Sequence, residues 1–186
     1  MAGRLAIRRA AAVIRAGGVV AYPTEAVWGL GCDPLNPRAV ARILDIKQRP
    51  VSMGLILIAS DLQQLEPWVE PVSYETEARI EASWPGPVSW LMPAQRWVPY
   101  WVRGDRGSVA VRITGHAQSA ALCRETGFPI VSTSANRSGR RPARNSMQVR
   151  RWLGERIDFV LGGATGGFDR PSEIRDAVSG WTLRAG

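Results

Sequence analysis

Apolar positions recur along this chain with two different periods, and the changes between them mark its elements. Over residues 4–16, at about 100° per residue, Arg4, Arg8 and Arg15 share one face and Ile7, Ala10 and Ile14 share another, which predicts an amphipathic helix. Gly17 and Gly18 stop it, and the apolar run 19–22 predicts a strand ended by Pro23. Residues 24–31, with two glycines and mixed polarity, read as a loop. Asn36 followed by Pro37 is a helix opening, an N-cap with proline at the first helical position. Val40, Ile43 and Leu44 give that helix one apolar face, and it runs to about Gln48, because Pro50 disfavours helical backbone at Arg49.

The same reading gives a buried strand at 55–59, a short helix capped by Asp61, a helix over 74–83 and a rigid turn at 84–87. A strand follows at 88–92, then an exposed loop over 95–108 and a strand at 109–113 in which Arg112 interrupts the apolar run. A helix over 116–126 ends at Gly127, and a strand from 129–131 runs into Ser132-Thr133-Ser134-Ala135-Asn136. A helix at 146–153, a strand at 159–161, a glycine-rich stretch at 162–167 and a last strand near 181–184, preceded by residues 171–176, complete the chain. There is no internal repeat and no evident linker, so the expectation is one mixed α/β domain over 1–186 with several strands in one sheet.

Composition narrows the class. The 186 residues are 45% hydrophobic and 22% charged, as in an ordinary soluble globular chain. The longest strongly apolar run, 55–59, is far short of the roughly 20 residues a membrane helix needs, so no membrane partner is expected. Arginines interrupt every candidate signal-peptide core, and a strand directly after the first helix argues against a transit peptide. Cys32 and Cys123 match no zinc or redox spacing and read as buried thiols in a reducing cytoplasm. With His116 as the one histidine, a His-rich metal site or a Ser-His-Asp triad has little material. The net charge of +8 favours polyanionic partners, whether nucleotides, RNA or acidic lipids.

Against this arginine-rich background Lys47 is the only lysine. An ammonium is a point charge, whereas a guanidinium is a planar fork, so the two are different tools for holding anions. Three other places also carry more polar functionality than a fold needs: Thr24-Glu25 at a strand end; Ser132, Ser134 and Asn136 before Gly139 and a run of arginines; and Ser172 with Arg175 or Arg184. Each also has a structural reading. Lys47 and Arg49 suit the negative end of a helix dipole, Ser and Asn at strand ends form turns, and Arg112 could pair with a buried acid. The chain has neither GxxxxGK[ST] nor GxGxxG, so a nucleotide site would be built from side chains and nonstandard loops.

Taken in order, Tyr22 to Asp33 (YPTEAVWGLGCD), Lys47-Gln48-Arg49-Pro50, Trp84-Pro85-Gly86-Pro87-Val88, Val109-Ala110-Val111-Arg112, Ser132 to Asn136 with Ser138-Gly139, and Pro171 to Asp176 closely resemble the motifs of the YrdC family, in its short bacterial form. The resemblance covers nearly the whole chain. It implies a twisted, open mixed sheet with flanking helices and a basic concave face. The implied activity makes threonylcarbamoyl-AMP and pyrophosphate from L-threonine, bicarbonate or CO2, and ATP. A separate transferase complex would use the product to modify tRNA beside the anticodon, and the basic face could itself contact RNA or tRNA.

The family's Lys, Arg, Ser and Asn map onto Lys47, Arg49, Ser134 and Asn136. With that mapping, Arg49 is expected to hold ATP phosphates and Lys47 to neutralise the carbamate or α-phosphate. Ser134 and Asn136 would fix nucleotide and carbamate, and Thr24 would line the threonine pocket. Arg112, Ser172 and Arg184 are further candidates for the threonine carboxylate or the phosphates. Mg2+ would arrive with ATP, held by phosphates and water. Longer members often have Thr at the position of Ala26 and His at that of Ile58, both lining their threonine pocket, so threonine recognition here must differ in detail. The competing reading is a non-catalytic RNA-binding module using the concave face and the arginines of 137–151.

Overall fold

The computed structural model of the protein describes residues 3–186. Its sheet has nine strands in the order β7-β1-β2-β6-β3-β5-β4-β8-β9. These are β1 (Val20–Pro23), β2 (Trp28–Gly31), β3 (Ile56–Ala59), β4 (Val88–Pro93), β5 (Ser108–Ile113), β6 (Ile130–Ser134), β7 (Phe159–Val160), β8 (Glu173–Asp176) and β9 (Thr182–Arg184). The pairs β1–β7, β3–β5 and β4–β8 are parallel and the others antiparallel, which makes the sheet mixed. The helices are α1 (Arg4–Arg15), α2 (Pro37–Lys47), α3 (Tyr74–Glu81), α4 (Tyr100–Arg103), α5 (Ala117–Thr126) and α6 (Ser146–Leu153).

The period-2 alternation of the strands sorts residues between two faces. Trp28, Leu30, Leu57, Trp90, Val109, Val111 and Val131 enter the larger core with Val40 and Ile43 of α2. Each fully buried aliphatic or aromatic side chain there contributes on the order of 1.5–3 kcal/mol. The alternate residues Ile58 and Ile130 face the other way, into a second core with Ile14 of α1 and Leu122 of α5. Those two helices cover only part of that face. Along the same strands Gly29, Ala110, Arg112, Ser132 and Ser134 line an open cleft. The alternation that buries Val111 and Val131 on one side therefore delivers Arg112 and Ser132 to the cleft on the other.

Local capping agrees with the sequence. The Asn36 side chain accepts from the backbone N–H groups of Arg38 and Ala39, and Gly127 closes α5 in the left-handed conformation. Four expectations need correction. The segment read as a loop over 24–31 contains β2, because its glycines admit the Tyr22 ring: a Cβ at Gly31 would stand 2.8 Å from Tyr22 Cε1 and 2.7 Å from the Val131 carbonyl. The stretch 95–108 is an exposed loop only in part, at residues such as 105–107; it contains α4, Val98 and Val102 are buried, Trp101 donates to the Pro34 carbonyl at 2.9 Å, and the Trp97 ring packs on Trp68. Asp61 caps only a turn, accepting from Gln64 N at 3.1 Å. Residues 173–176 are themselves a strand, pairing with β4.

Candidate functional site

The open cleft, about 540 Å³ in volume, is lined by all eight candidate residues: Thr24, Lys47, Arg49, Arg112, Ser134, Asn136, Ser172 and Arg184. Arg103, Arg106 and Arg170 line it as well, so seven basic side chains face one carboxylate, Glu25.

At the end of α2 the chain turns sharply. Gln48 adopts the left-handed conformation (φ 50°, ψ 52°), the only non-glycine residue with positive φ among those described. That turn sends Lys47 and Arg49 to different walls. Lys47 is 3% exposed, and its Nζ donates to the Ser134 carbonyl at 2.6 Å, Asn136 Oδ1 at 3.0 Å and the Asn136 carbonyl at 3.1 Å, with Ser134 Oγ at 3.3 Å. Ser134 Oγ in turn donates to Asn136 Oδ1 at 2.6 Å, and Ser138 N donates to the Lys47 carbonyl at 2.8 Å. The three residues from distant motifs thus form one cage, and every acceptor in it is neutral. Burial, with the charge of Arg49 adding to it, pushes the Lys47 ammonium down to about 8.

Arg49 faces the 51–54 turn, donating to the Gly54 carbonyl at 3.2 and 3.3 Å and to the Met53 carbonyl at 3.4 Å. Desolvation and the neighbouring charge of Arg106 hold it below the ordinary arginine value. Arg184 donates to the Ser172 carbonyl at 2.6 Å and to Ser172 Oγ at 3.3 Å. Partial desolvation and then the charges of Arg49 and Arg112 lower it too, although it is exposed enough for solvent to screen those charges.

Arg112 at 5% exposure and Glu25 at 6% form a buried ion pair, the arrangement its strand context allowed for. Glu25 Oε1 also accepts from Thr114 Oγ1 at 2.8 Å and Gly115 N at 3.1 Å. Burial alone would raise this carboxyl, but the Arg112 charge and these hydrogen bonds outweigh it and hold it below its ordinary value. Arg112 Nε is left buried with no hydrogen-bond partner among the described residues, so this guanidinium is not fully satisfied by Glu25. The Thr24 hydroxyl donates to the Val27 carbonyl at 2.7 Å and so shapes its own turn as well as the cleft wall. Ala26 lines the cleft, whereas Ile58 lies in the core beneath α5.

Sequence reasoning does not single out Arg103, Arg106 and Arg170, and it makes no use of Glu25 beyond noting it beside Thr24. The signal for Arg103 and Arg106 is their spacing across Gly104, and reading 95–108 as an exposed loop hides it. Among the described residues no cluster of three His, Cys, Asp or Glu side chains could hold a metal ion. The one carboxylate in the cleft is already committed to Arg112, so the donor set suits a divalent cation carried on a polyphosphate better than one bound by the protein.

A mixed sheet with an open, cation-lined cleft and a lysine-serine-asparagine cage defines the class. The chain belongs to the Sua5/YciO/YrdC family, described under telomere recombination, whose model matches residues 12–186. Among curated relatives it is 55% identical to the threonylcarbamoyl-AMP synthase of Halorhodospira halophila over 178 residues, 96% of this chain and 93% of that one. It is 52% identical to the protein of the same name from Nitrosococcus oceani, covering 96% of each chain. Among solved structures it is similar to Pyrococcus abyssi Sua5 complexed with L-threonine (TM-score 0.88, 34% identity), covering 96% of this chain and 53% of that protein. Escherichia coli YciO shares the fold, with TM-score 0.85 at 24% identity over 99% of this chain and 90% of that one.

Proposed function

We propose that the protein is a threonylcarbamoyl-AMP synthase, condensing L-threonine, bicarbonate or CO2, and ATP into threonylcarbamoyl-AMP and pyrophosphate for tRNA modification. The observation that carries this reading is the buried Lys47 ammonium, caged by Ser134 and Asn136 with no acid, in a cleft where seven cations face one carboxylate. The names of the 55% and 52% identical relatives support it.

The chemistry asks for such a site. The threonine amine adds to the carbon of CO2 and gives up a proton to solvent, forming an anionic carbamate. A carbamate oxygen then bonds to the α-phosphorus of ATP as the bond to the β-phosphate oxygen breaks, and the electron pair leaves with pyrophosphate. Two anions must meet, so positioning and electrostatic stabilisation carry the catalysis. Lys47, free of any carboxylate, places its charge where carbamate and α-phosphate meet. Ser134 and Asn136 fix that charge and offer polar atoms to the nucleotide. Arg49 and Arg184 take phosphates from the two sides. Arg112, which lines the cleft with its charge partly balanced by Glu25, suits the smaller threonine carboxylate. Thr24 and Ala26 form the adjoining wall.

The ATP carries its own Mg2+, and the product passes to a separate tRNA-modifying transferase in the cytoplasm. RNA contact through the basic rim is compatible with this reading, but an RNA backbone makes no use of a lysine sunk to 3% exposure. The test is mass-spectrometric detection of threonylcarbamoyl-AMP from the purified protein with ATP, threonine and bicarbonate. Pyrophosphate release that ignores threonine would sink the reading.

A further inference from the structure

Arg106 belongs to none of the motifs that identify the family, yet it lines the cleft from a loop whose backbone is firmly anchored. It lies between α4 and β5, on a loop that crosses the 51–54 turn backbone against backbone. Leu55 N donates to the Val102 carbonyl at 2.8 Å and Asp105 N to the Ser52 carbonyl at 3.0 Å. Gly104 sits at φ +67°, where a Cβ would stand 2.2 Å from the Ser52 carbonyl oxygen, and Gly54 sits at φ +63° with its missing Cβ 2.9 Å from the carbonyls of Val102 and Arg103. Two glycines with positive φ and two backbone hydrogen bonds lock loop and turn into one unit.

Arg106 and Arg49 share an acceptor on that unit. Arg106 Nη1 and Arg49 Nη2 each reach the Met53 carbonyl at 3.4 Å, and Arg49 also holds the Gly54 carbonyl. The shared carbonyl holds the two guanidinia near each other, and the Arg106 charge adds to desolvation in lowering the ionisation of Arg49. Neither has an ion pair among the described residues. The nearest acid in sequence, Asp105, accepts instead from the Tyr100 hydroxyl at 2.8 Å. A fold that holds two like charges on a shared neutral carbonyl, and occupies the adjacent acid elsewhere, is organised for an anion of more than one charge.

We infer that Arg106, together with Arg49, clamps the β,γ-diphosphate end of ATP and then the pyrophosphate that leaves. The identity of the anion rests on the synthase reading. If Lys47 stands at the α-phosphorus, the next two phosphates extend away from the Ser134–Asn136 cage, and the Arg49–Arg106 pair beside the 51–54 turn lines the same cleft to receive them. As the bond from the α-phosphorus breaks, negative charge grows on the bridging oxygen of the departing diphosphate, and guanidinium forks stabilise that charge. The clamp also gives the product a residence time, so Arg106 governs inhibition by pyrophosphate as well as ATP binding.

The experiment uses the full-length protein with inorganic pyrophosphate as the direct probe, by calorimetry, beside steady-state kinetics. One charge-assisted contact is worth about 1.5–3 kcal/mol, so Arg106→Ala should weaken pyrophosphate binding and raise the KM for ATP by roughly 10- to 100-fold. The KM for threonine should stay within about twofold. Arg106→Lys should recover part of the affinity, because it restores charge without the fork. Arg141→Ala, which removes an exposed arginine outside the cleft, should change neither quantity.

Equal pyrophosphate affinity in wild type and Arg106→Ala overturns the inference. So does a loss confined to tRNA affinity, or a rise in threonine KM alone. Because pyrophosphate binding is read without turnover, the two proposals separate. A protein that binds pyrophosphate through Arg106 but yields no threonylcarbamoyl-AMP keeps the clamp and loses the synthase reading. One that makes the product with pyrophosphate affinity unchanged in Arg106→Ala does the reverse.

Discussion

Replacing Lys47 by methionine should abolish turnover while leaving the stability of the fold almost unchanged. Two opposing terms set the magnitude. The gap between about 8 in the folded protein and 10.5 as the ordinary lysine value corresponds to roughly 3 kcal/mol of cost for burying the ammonium at neutral pH. Methionine removes that cost. Against it, the carbonyls of Ser134 and Asn136 and the Asn136 Oδ1 lose a buried donor, at about 1–3 kcal/mol for an acceptor left unsatisfied. Asn136 Oδ1 retains the Ser134 hydroxyl and water from the open cleft can reach the rest, so the terms nearly cancel and the net change should stay within about 1 kcal/mol. Turnover should fall by a factor on the order of 1,000 or more, since the charge is matched to the meeting of two anions.

The pH dependence gives this prediction a second edge. Because the folded-state value lies below the unfolded one, the unfolded chain binds more protons between pH 8 and 10.5. Wild-type stability should therefore gain from this group as pH rises through that window, and Lys47→Met should lack the gain. Urea midpoints at pH 7.5 and 10, beside a threonylcarbamoyl-AMP assay, measure all three effects. A variant within tenfold of wild-type turnover refutes the catalytic role. A loss of more than about 3 kcal/mol with parallel inactivation would mean that the ammonium is a structural clasp for β6.

Two further predictions concern the walls of the cleft. Glu25→Gln strands the Arg112 charge and should cost about 3–5 kcal/mol at pH 7, read as a shift in urea midpoint. Since the Glu25 carboxyl is held below its ordinary 4.5, the stability it provides is present above that pH and is lost as pH falls through the lower folded value. The difference between wild type and Glu25→Gln should therefore shrink in acid, and a constant gap would refute the pairing. Gly104→Ala, with a Cβ 2.2 Å from the Ser52 carbonyl, should destabilise by more than 2 kcal/mol on an order-of-magnitude scale. Gly127→Ala, left-handed but with nothing within 4 Å, should cost only about 1 kcal/mol, and equal melting temperatures for the two variants would contradict the crossing described.

What is legible in the sequence follows from strong local rules. The Asn36-Pro37 opening places α2, and Pro50 places its end, so the residue order alone puts Lys47 and Arg49 at a helix terminus. The apolar run through residues 109–113 marks Arg112 as the exception in its strand and leaves two readings open, a ligand contact or a buried acid; the structure supplies the acid, Glu25. That Lys47, Ser134 and Asn136 form one site is legible only through the family resemblance, because the contacts span 87 and 89 positions and no local pattern records them. The misreadings also have physical causes. Two glycines in β2 mimic a loop until the Tyr22 ring that requires them is known. The stretch around Arg103 and Arg106 looks exposed by composition, while Val98, Val102 and the indole donors of Trp97 and Trp101 tie it down.

Locally consistent rules govern the two cores, and the departures from them gather in the cleft: a lysine buried without an acid, a left-handed glutamine beside it, and arginines with no carboxylate partner. Each departure is unfavourable in the empty protein, and most of the electrostatic ones would be relieved by a polyanion. Ligand binding should then stabilise the fold by linkage, with phosphate-bearing ligands contributing more than threonine, because they bring more negative charge to a cleft lined by seven cations. Thermal melts with pyrophosphate, with ATP and with threonine check that order, and a larger shift with threonine than with pyrophosphate would contradict it. The single lysine, and at least two arginines outside the identifying motifs, line one cleft with one carboxylate among the described residues, which is why a polyanion should shift the melt most.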